Sequence, residues 1–222
     1  MTRLAHLDPR NVSFMPPGVI DSLRAGGMLI FPTDTLYGLG VNPYLEEALD
    51  RLLSAKGREG GKPIPLLLDE PARVSSLTRH LPGDASRLIE RFWPGGVTLV
   101  LPAMQDLSEV ITGGTGTVGL RVPDHPVART LAKAVGGAIT GTSANRRGNP
   151  GIWNTAEEIV NEFTGEVDWI LWDGPAPAPS EEGISRAASH CSTVVLVEEE
   201  KVLLLREGAV PFRTITDFLG KK

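Results

Sequence analysis

Apolar residues fall along this chain in short runs and stripes that change period from one segment to the next. Met28 to Phe31 is an uninterrupted apolar run stopped by Pro32, the pattern of a strand buried on both faces. From Glu46 to Lys56 the apolar positions are 48, 49, 52, 53 and 55, which is a helical stripe. Pro17 to Arg24 reads as a short helix ended by Gly26 and Gly27. Ile64 to Leu68 predicts a second buried strand, Asp84 to Phe92 a helix, and Val97 to Leu101 and Val118 to Val122 two more strands. Val127 to Val135 predicts a helix and Ala138 to Thr140 a short strand. Thr155 and Glu158 have the spacing of a capping box that opens a helix running through Phe163. Val167 to Leu171, Thr193 to Val197 and Val202 to Leu205 complete the strands.

Strands alternating with helices predict an α/β fold, a twisted open sheet with helices packed on it. The last strands follow one another without helices, so the sheet is expected to be mixed rather than purely parallel. No repeat or low-complexity tract interrupts the pattern. Asp173 to Gly183, with Pro175, Pro177 and Pro179, reads as a loop, and too few residues follow it for an independent domain. Residues 1–222 are therefore read as one domain with its core at about 13–210.

Composition narrows the function classes. No stretch approaches the roughly 18 uninterrupted apolar residues of a membrane helix, and Met1 to Arg10 lacks the charged-then-apolar layout of a secretion signal. The single cysteine, Cys191, excludes an internal disulfide framework and suits a reducing cytosol, so a cytoplasmic protein is expected. The net charge of −5 argues against a non-specific RNA binder, yet leaves a local basic cleft open.

Three motifs tempt and fail. Gly114, Gly116 and Gly119 fit the dinucleotide fingerprint, but the segment leads into a strand rather than a helix. Gly61 and Lys62 suggest a P-loop, but Pro63 stands where a Ser or Thr must be. Gly141-Thr142-Ser143-Ala144-Asn145 is one residue short of a nucleophile elbow, and His190 is the only histidine after it. His6, His80, His125 and His190 show no metal-ligand spacing with one another or with Cys191, and each reads as a surface or satisfied core residue.

Five segments carry more weight together. They are Phe31-Pro32-Thr33-Asp34-Thr35-Leu36-Tyr37-Gly38-Leu39-Gly40; Lys56-Gly57-Arg58 followed by Lys62-Pro63-Ile64-Pro65-Leu66; and Phe92-Trp93-Pro94-Gly95-Gly96 with Thr98. Then come Val118-Gly119-Leu120-Arg121-Val122-Pro123-Asp124-His125-Pro126 with Ser143-Ala144-Asn145, and Ser192-Thr193-Val194-Val195 with Arg206 and Gly208. In this order they resemble the YrdC/Sua5 family of threonylcarbamoyl-adenylate synthases across residues 31–208. The resemblance implies a YrdC-like α/β fold, in the short form without the further C-terminal Sua5 domain. It implies an enzyme that joins L-threonine, bicarbonate or CO2 and ATP into threonylcarbamoyl-AMP and pyrophosphate for the t6A modification of tRNA.

Residue by residue, the resemblance assigns Lys56, Arg58, Ser143, Asn145 and Arg206 to ATP, with Lys56 and Arg58 as the catalytic cations. Thr33 and Arg121 would hold threonine, Arg121 forking onto its carboxylate. Thr117 would be a further contact on the ATP side, and Ser192 and the Gly141 backbone on the amino-acid side. Elementary chemistry agrees: without a P-loop, phosphate charge must be offset by Lys, Arg and the Mg²⁺ that accompanies ATP. Taken singly, Lys56 and Arg58 read as solvated charges at a helix end, Thr33 and Thr35 as a turn, and Trp93 as core packing. One methyl group distinguishes threonine from serine, worth about 1–3 kcal/mol, so only a modest preference is expected.

Implied partners are ATP, L-threonine and bicarbonate, with downstream t6A transferase proteins and no membrane. A YrdC-like module that binds tRNA or double-stranded RNA without catalysis is the competing reading, with Lys56, Arg58, Lys62, Arg146 and Arg147 as its basic groove. A carbamoyl-transfer relative is a third. The departures are Glu59, where the family has proline, Thr142 before Ser143, and the longer Pro-rich stretch from Gly174 to Cys191, which bears on the role of Ser192.

Overall fold

The computed structural model describes residues 1–8, 15–57, 62–146, 151–175, 191–199 and 201–221. Within them the first half of the chain forms β1 (Arg3–His6), α1 (Val19–Arg24), β2 (Leu29–Phe31), β3 (Gly38–Gly40), α2 (Glu46–Ala55), β4 (Leu66–Leu68), α3 (Val74–Leu77), α4 (Gly83–Phe92) and β5 (Val97–Pro102). The second half forms α5 (Glu109–Thr112), β6 (Thr117–Arg121), α6 (Pro126–Ala134), β7 (Ala138–Thr140), β8 (Thr142–Ser143), α7 (Ala156–Phe163), β9 (Trp169–Trp172), β10 (Thr193–Val197), β11 (Val202–Arg206) and α8 (Phe212–Leu219). Among the described residues no helix is long and apolar enough to cross a membrane.

The expected mixed α/β class holds, but the strands divide between two sheets rather than one. The five-stranded sheet has the order β1-β9-β2-β3-β8, and the six-stranded sheet β11-β10-β5-β6-β4-β7. Both are mixed: β2 runs parallel to β9 and antiparallel to β3, while β5 runs parallel to β10 and antiparallel to β6. The late strands β10 and β11 pair antiparallel, as their helix-free succession predicts.

Strands β2 and β4 are buried on both faces, which is why they read as unbroken apolar runs. In β2, Ile30 packs into one hydrophobic cluster while Leu29 and Phe31 pack into a second. In β4, Leu66 and Leu68 share the cluster of Ile30, and Leu67 joins that of Phe31. The alternation of side chains along a strand thus distributes one apolar run between two cores.

Helix α2 buries Ala48, Leu49 and Leu52, carries Glu46 and Glu47 in its first turn, and reaches its C-cap at Lys56. Acidic residues at the start suit the positive end of the helix dipole. Thr155 caps α7, its hydroxyl accepting from Glu158 N. The return bond of a capping box is shifted by one residue, since the Glu158 carboxylate accepts from Asn154 N at 2.8 Å.

The chain passes from one sheet to the other at Gly141, between β7 and β8. A Cβ there would lie 2.4 Å from Leu67 Cγ, so a side chain has no room. Gly141 N donates to Pro65 O at 2.9 Å, and Val41 N donates to Thr140 Oγ1 at 2.8 Å. The first continues the β4–β7 ladder of the six-stranded sheet, and the second ties that sheet to the five-stranded one next to the candidate site.

Candidate active site

A cavity of about 410 Å³ opens where the two sheets meet. The five-stranded sheet and the loop after β2 contribute Thr33, Thr35, Tyr37 and Ser143 to its lining. The six-stranded sheet contributes Thr98, Thr117, Arg121, Ser192 and Arg206, and Gly141 and Leu67 lie at the junction. Sheet edges of this kind are where open α/β folds gather ligands.

One end of the cavity is organised around Arg121, which β6 delivers and which is 4% exposed. Its Nε donates to Gly95 O and its Nη1 to Thr35 Oγ1, both at 2.8 Å, and its Nη2 is ion-paired with Asp34. Burial pushes the Arg121 guanidinium pKa below its ordinary value, with Asp34 opposing that shift and Arg206 adding to it. A buried cation without such a partner would be costly, so Asp34 is part of what lets Arg121 exist here.

The threonine hydroxyls extend this network. The Thr33 hydroxyl donates to Leu36 O at 2.6 Å, Thr35 N donates to Thr33 Oγ1 at 3.0 Å, and the two hydroxyls lie 3.1 Å apart. The single Thr33 proton is committed to Leu36, so the Thr35 hydroxyl donates to Thr33 while accepting from Arg121. Thr33 and Thr35 therefore make the turn that local chemistry predicts and also line the cavity.

The other rim is built by the turn after β8. Lys56 Nζ donates to Ser143 O at 2.9 Å, to Asn145 O, and to Asn145 Oδ1 at 3.2 Å. The Ser143 hydroxyl donates to Asn145 Oδ1 at 2.6 Å. Ala144 N donates to Tyr37 O at 2.7 Å, and Trp153 Nε1 donates to Ala144 O at 2.9 Å. Lys56 thus reaches the predicted site by holding Ser143 and Asn145, and only Ser143 of the three lines the cavity itself. Arg58 lies outside the described residues, as do His190, Arg147 and residues 176–190 of the Pro-rich stretch.

On the third side, Arg206 from β11 donates through Nη2 to Ser192 O at 2.9 Å and Ser192 Oγ at 3.1 Å. The Ser192 hydroxyl in turn pairs with Thr98 Oγ1 at 2.8 Å. Thr117 pairs with Thr115 Oγ1 at 2.9 Å.

Several participants escape sequence reasoning. Asp34, Thr35, Tyr37 and Thr98 stand inside the family-like segments but receive no site role there, and Thr35 reads singly as a turn. The Tyr37 hydroxyl bonds to Asp173 Oδ1 at 2.8 Å and Gly174 O at 2.7 Å, and its ring stacks on Trp172 at 5.2 Å. Burial raises the Tyr37 pKa far above its ordinary value, so it stays a neutral donor. Asp173 also holds His125 Nε2 at 2.9 Å. Among the described residues the buried Nδ1 of His125 has no hydrogen-bond partner.

The decoys resolve on geometry. Gly114 and Gly116 follow helix α5 and precede strand β6, the reverse of the order a dinucleotide fingerprint needs. Trp93 is 7% exposed and donates through Nε1 to Val97 O, so it is a core residue. Arg146, from the basic groove expected of an RNA-binding module, is ion-paired with Glu162 and Glu166. Among the described residues no group of three or more His, Cys, Asp or Glu could hold a metal ion, and the cavity lining has no carboxylate. The described side chains of the lining therefore offer no carboxylate to a divalent ion.

The class is thus a mixed α/β protein whose two sheets close on a polar, arginine-bearing cavity. The Sua5/YciO/YrdC family model, described as telomere recombination, matches residues 21–208, and the chain belongs to that family. It is 35% identical to the threonylcarbamoyl-AMP synthase of Pyrococcus abyssi over 199 residues, 90% of this chain and 55% of that one. It is 39% identical to the threonylcarbamoyl-AMP synthase of Pseudomonas fluorescens over 149 residues, 67% of this chain and 80% of that one. The crystal structure of P. abyssi Sua5 complexed with L-threonine superposes with a TM-score of 0.82 at 31% identity, covering 100% of this chain and 61% of that one. This chain thus spans little more than half the length of the archaeal relative.

Proposed function

We propose that this chain is a threonylcarbamoyl-AMP synthase, a nucleotidyltransferase supplying the activated intermediate for t6A in tRNA. The threonine amine adds to CO2 or bicarbonate to form a carbamate. A carbamate oxygen then attacks the α-phosphorus of ATP, and pyrophosphate leaves with the electron pair of the broken P–O bond. With bicarbonate the balance is threonine, bicarbonate and ATP giving threonylcarbamoyl-AMP, pyrophosphate and water.

The observation that carries this reading is the convergence of Thr33, Thr117, Arg121, Gly141, Ser143, Ser192 and Arg206, from distant stretches, on one cavity. In it, Arg121, Thr33 and the Gly141 backbone take the amino acid, while Ser143, Thr117 and Arg206 face the nucleotide, with Lys56 acting at the Ser143–Asn145 rim. The protein positions two substrates and offsets developing charge, and no covalent enzyme intermediate is required. Mg²⁺ enters as the counter-ion carried by ATP.

The test mixes pure protein with ATP, L-threonine, bicarbonate and Mg²⁺ and measures pyrophosphate. Release that requires threonine is the expected result. Release at the same rate without threonine would assign another acceptor to the site.

A further inference from the structure

Asp34 stands outside the cavity lining, yet its carboxylate is ion-paired with the Nη2 of Arg121, which lines it. The side chains of the pair are 5% and 17% exposed for Arg121 and Asp34 respectively. Three acceptors from two segments fix the guanidinium: Asp34 and Thr35 from the loop after β2, and Gly95 O from the turn before β5. A guanidinium has five N–H donors. Three are spent on these acceptors, leaving one on each terminal nitrogen for a ligand.

We propose that Asp34 is a positioning residue for recognition of the amino-acid carboxylate, acting through Arg121 rather than by touching substrate. The inference rests on the proposed function, in which Arg121 receives that carboxylate. An arginine side chain carries several rotatable bonds, and its fork discriminates only if its plane is fixed. Thr35 and Gly95 offer neutral acceptors, whereas Asp34 supplies the charge-assisted bond that outlasts competition from an incoming carboxylate.

Simple electrostatics predicts the opposite sign. A negative charge behind Arg121 repels an anionic substrate, so removing it should tighten binding unless orientation dominates. That conflict makes the test decisive.

The experiment measures binding of L-threonine and, separately, of ATP by titration calorimetry to wild type, Asp34→Asn and Asp34→Glu. Asp34→Asn keeps the shape and one acceptor oxygen but loses the charge. Asp34→Glu keeps the charge and displaces it by one methylene, so it serves where the Asn variant does not fold. Both variants are expected to bind L-threonine at least tenfold more weakly while holding ATP within about twofold of wild type, since tenfold corresponds to losing one charge-assisted bond.

Tighter or unchanged threonine binding in Asp34→Asn would overturn the proposal. So would wild-type threonine affinity in Asp34→Glu, which would reduce Asp34 to charge balance, or parallel loss of both ligands, which would mark a structural role. A wild-type protein that binds no L-threonine would instead remove the functional reading beneath the proposal, before any variant is made.

Discussion

Lys56 stands at the C-cap of α2, where a solvated cation is the ordinary expectation, yet its ammonium is drawn onto three oxygens of Ser143 and Asn145. Its contribution to the site is therefore partly architectural, through the rim that presents the Ser143 hydroxyl. A hydrogen bond from a charged group contributes roughly 1.5–3 kcal/mol. Lys56→Ala should then lower the rate of pyrophosphate formation by about ten- to a hundredfold or slightly more. The turn keeps its bonds to Tyr37 O and Trp153 Nε1, so the fold should survive, with a melting temperature lowered by about 3–12 °C for the same 1.5–3 kcal/mol. Steady-state kinetics and a thermal melt check both halves, and a variant with wild-type turnover would take Lys56 out of the site.

Among the elements, the short glycine-rich strand β3 constrains the site most tightly. A Cβ on Gly40 would lie 2.3 Å from Thr140 O and 2.8 Å from the Phe31 ring, and the first of these is backbone. Overpacking of this kind costs about 1–3 kcal/mol, so Gly40→Ala should melt about 2–12 °C lower at roughly 2–4 °C per kcal/mol. Gly83→Ala is the control: it meets nothing within 4 Å at the start of α4 and should melt at or above the wild-type temperature. Differential scanning calorimetry separates the two, and equal melting would contradict the packing.

The same contrast explains what could be read in advance. Strands β2, β4, β5, β6 and β10 announce themselves as apolar runs because both their faces, or one of them, enter a core. Gly38–Gly40 and Thr142–Ser143 carry no such run, since they pair in the narrow seam where backbone replaces side chains, and so the division into two sheets was not legible. Helices α3 and α5 span four residues each, too few for a periodic stripe. Helix α8 buries Ile215 and Leu219, but Thr214 and Thr216 weaken its helical signal. The site residues could be named because their types and order are specific. The pairing of Asp34 with Arg121, 87 positions apart, could not, because only the folded seam brings them together.

At the scale of the molecule, a chain of net charge −5 concentrates Arg121, Arg206 and Lys56 around one cavity built from two sheets. Ligands seated there touch both sheets at once, so binding should resist their separation as well as fill a pocket. A ligand that binds only the folded state stabilises it by RT ln(1 + [L]/Kd), about 2.7 kcal/mol at a hundredfold excess over Kd. For a chain of this size that corresponds to a rise in melting temperature of about 5–10 °C. ATP with Mg²⁺ and L-threonine, each at a hundredfold its Kd, should each produce a rise of this order. Together they should exceed either alone, since each orders a different wall of the same cavity. A thermal-shift titration with D-threonine as the stereochemical control measures this. If saturating ATP and L-threonine left the melting temperature unmoved, the folded chain would not bind them, and the proposed function would fall.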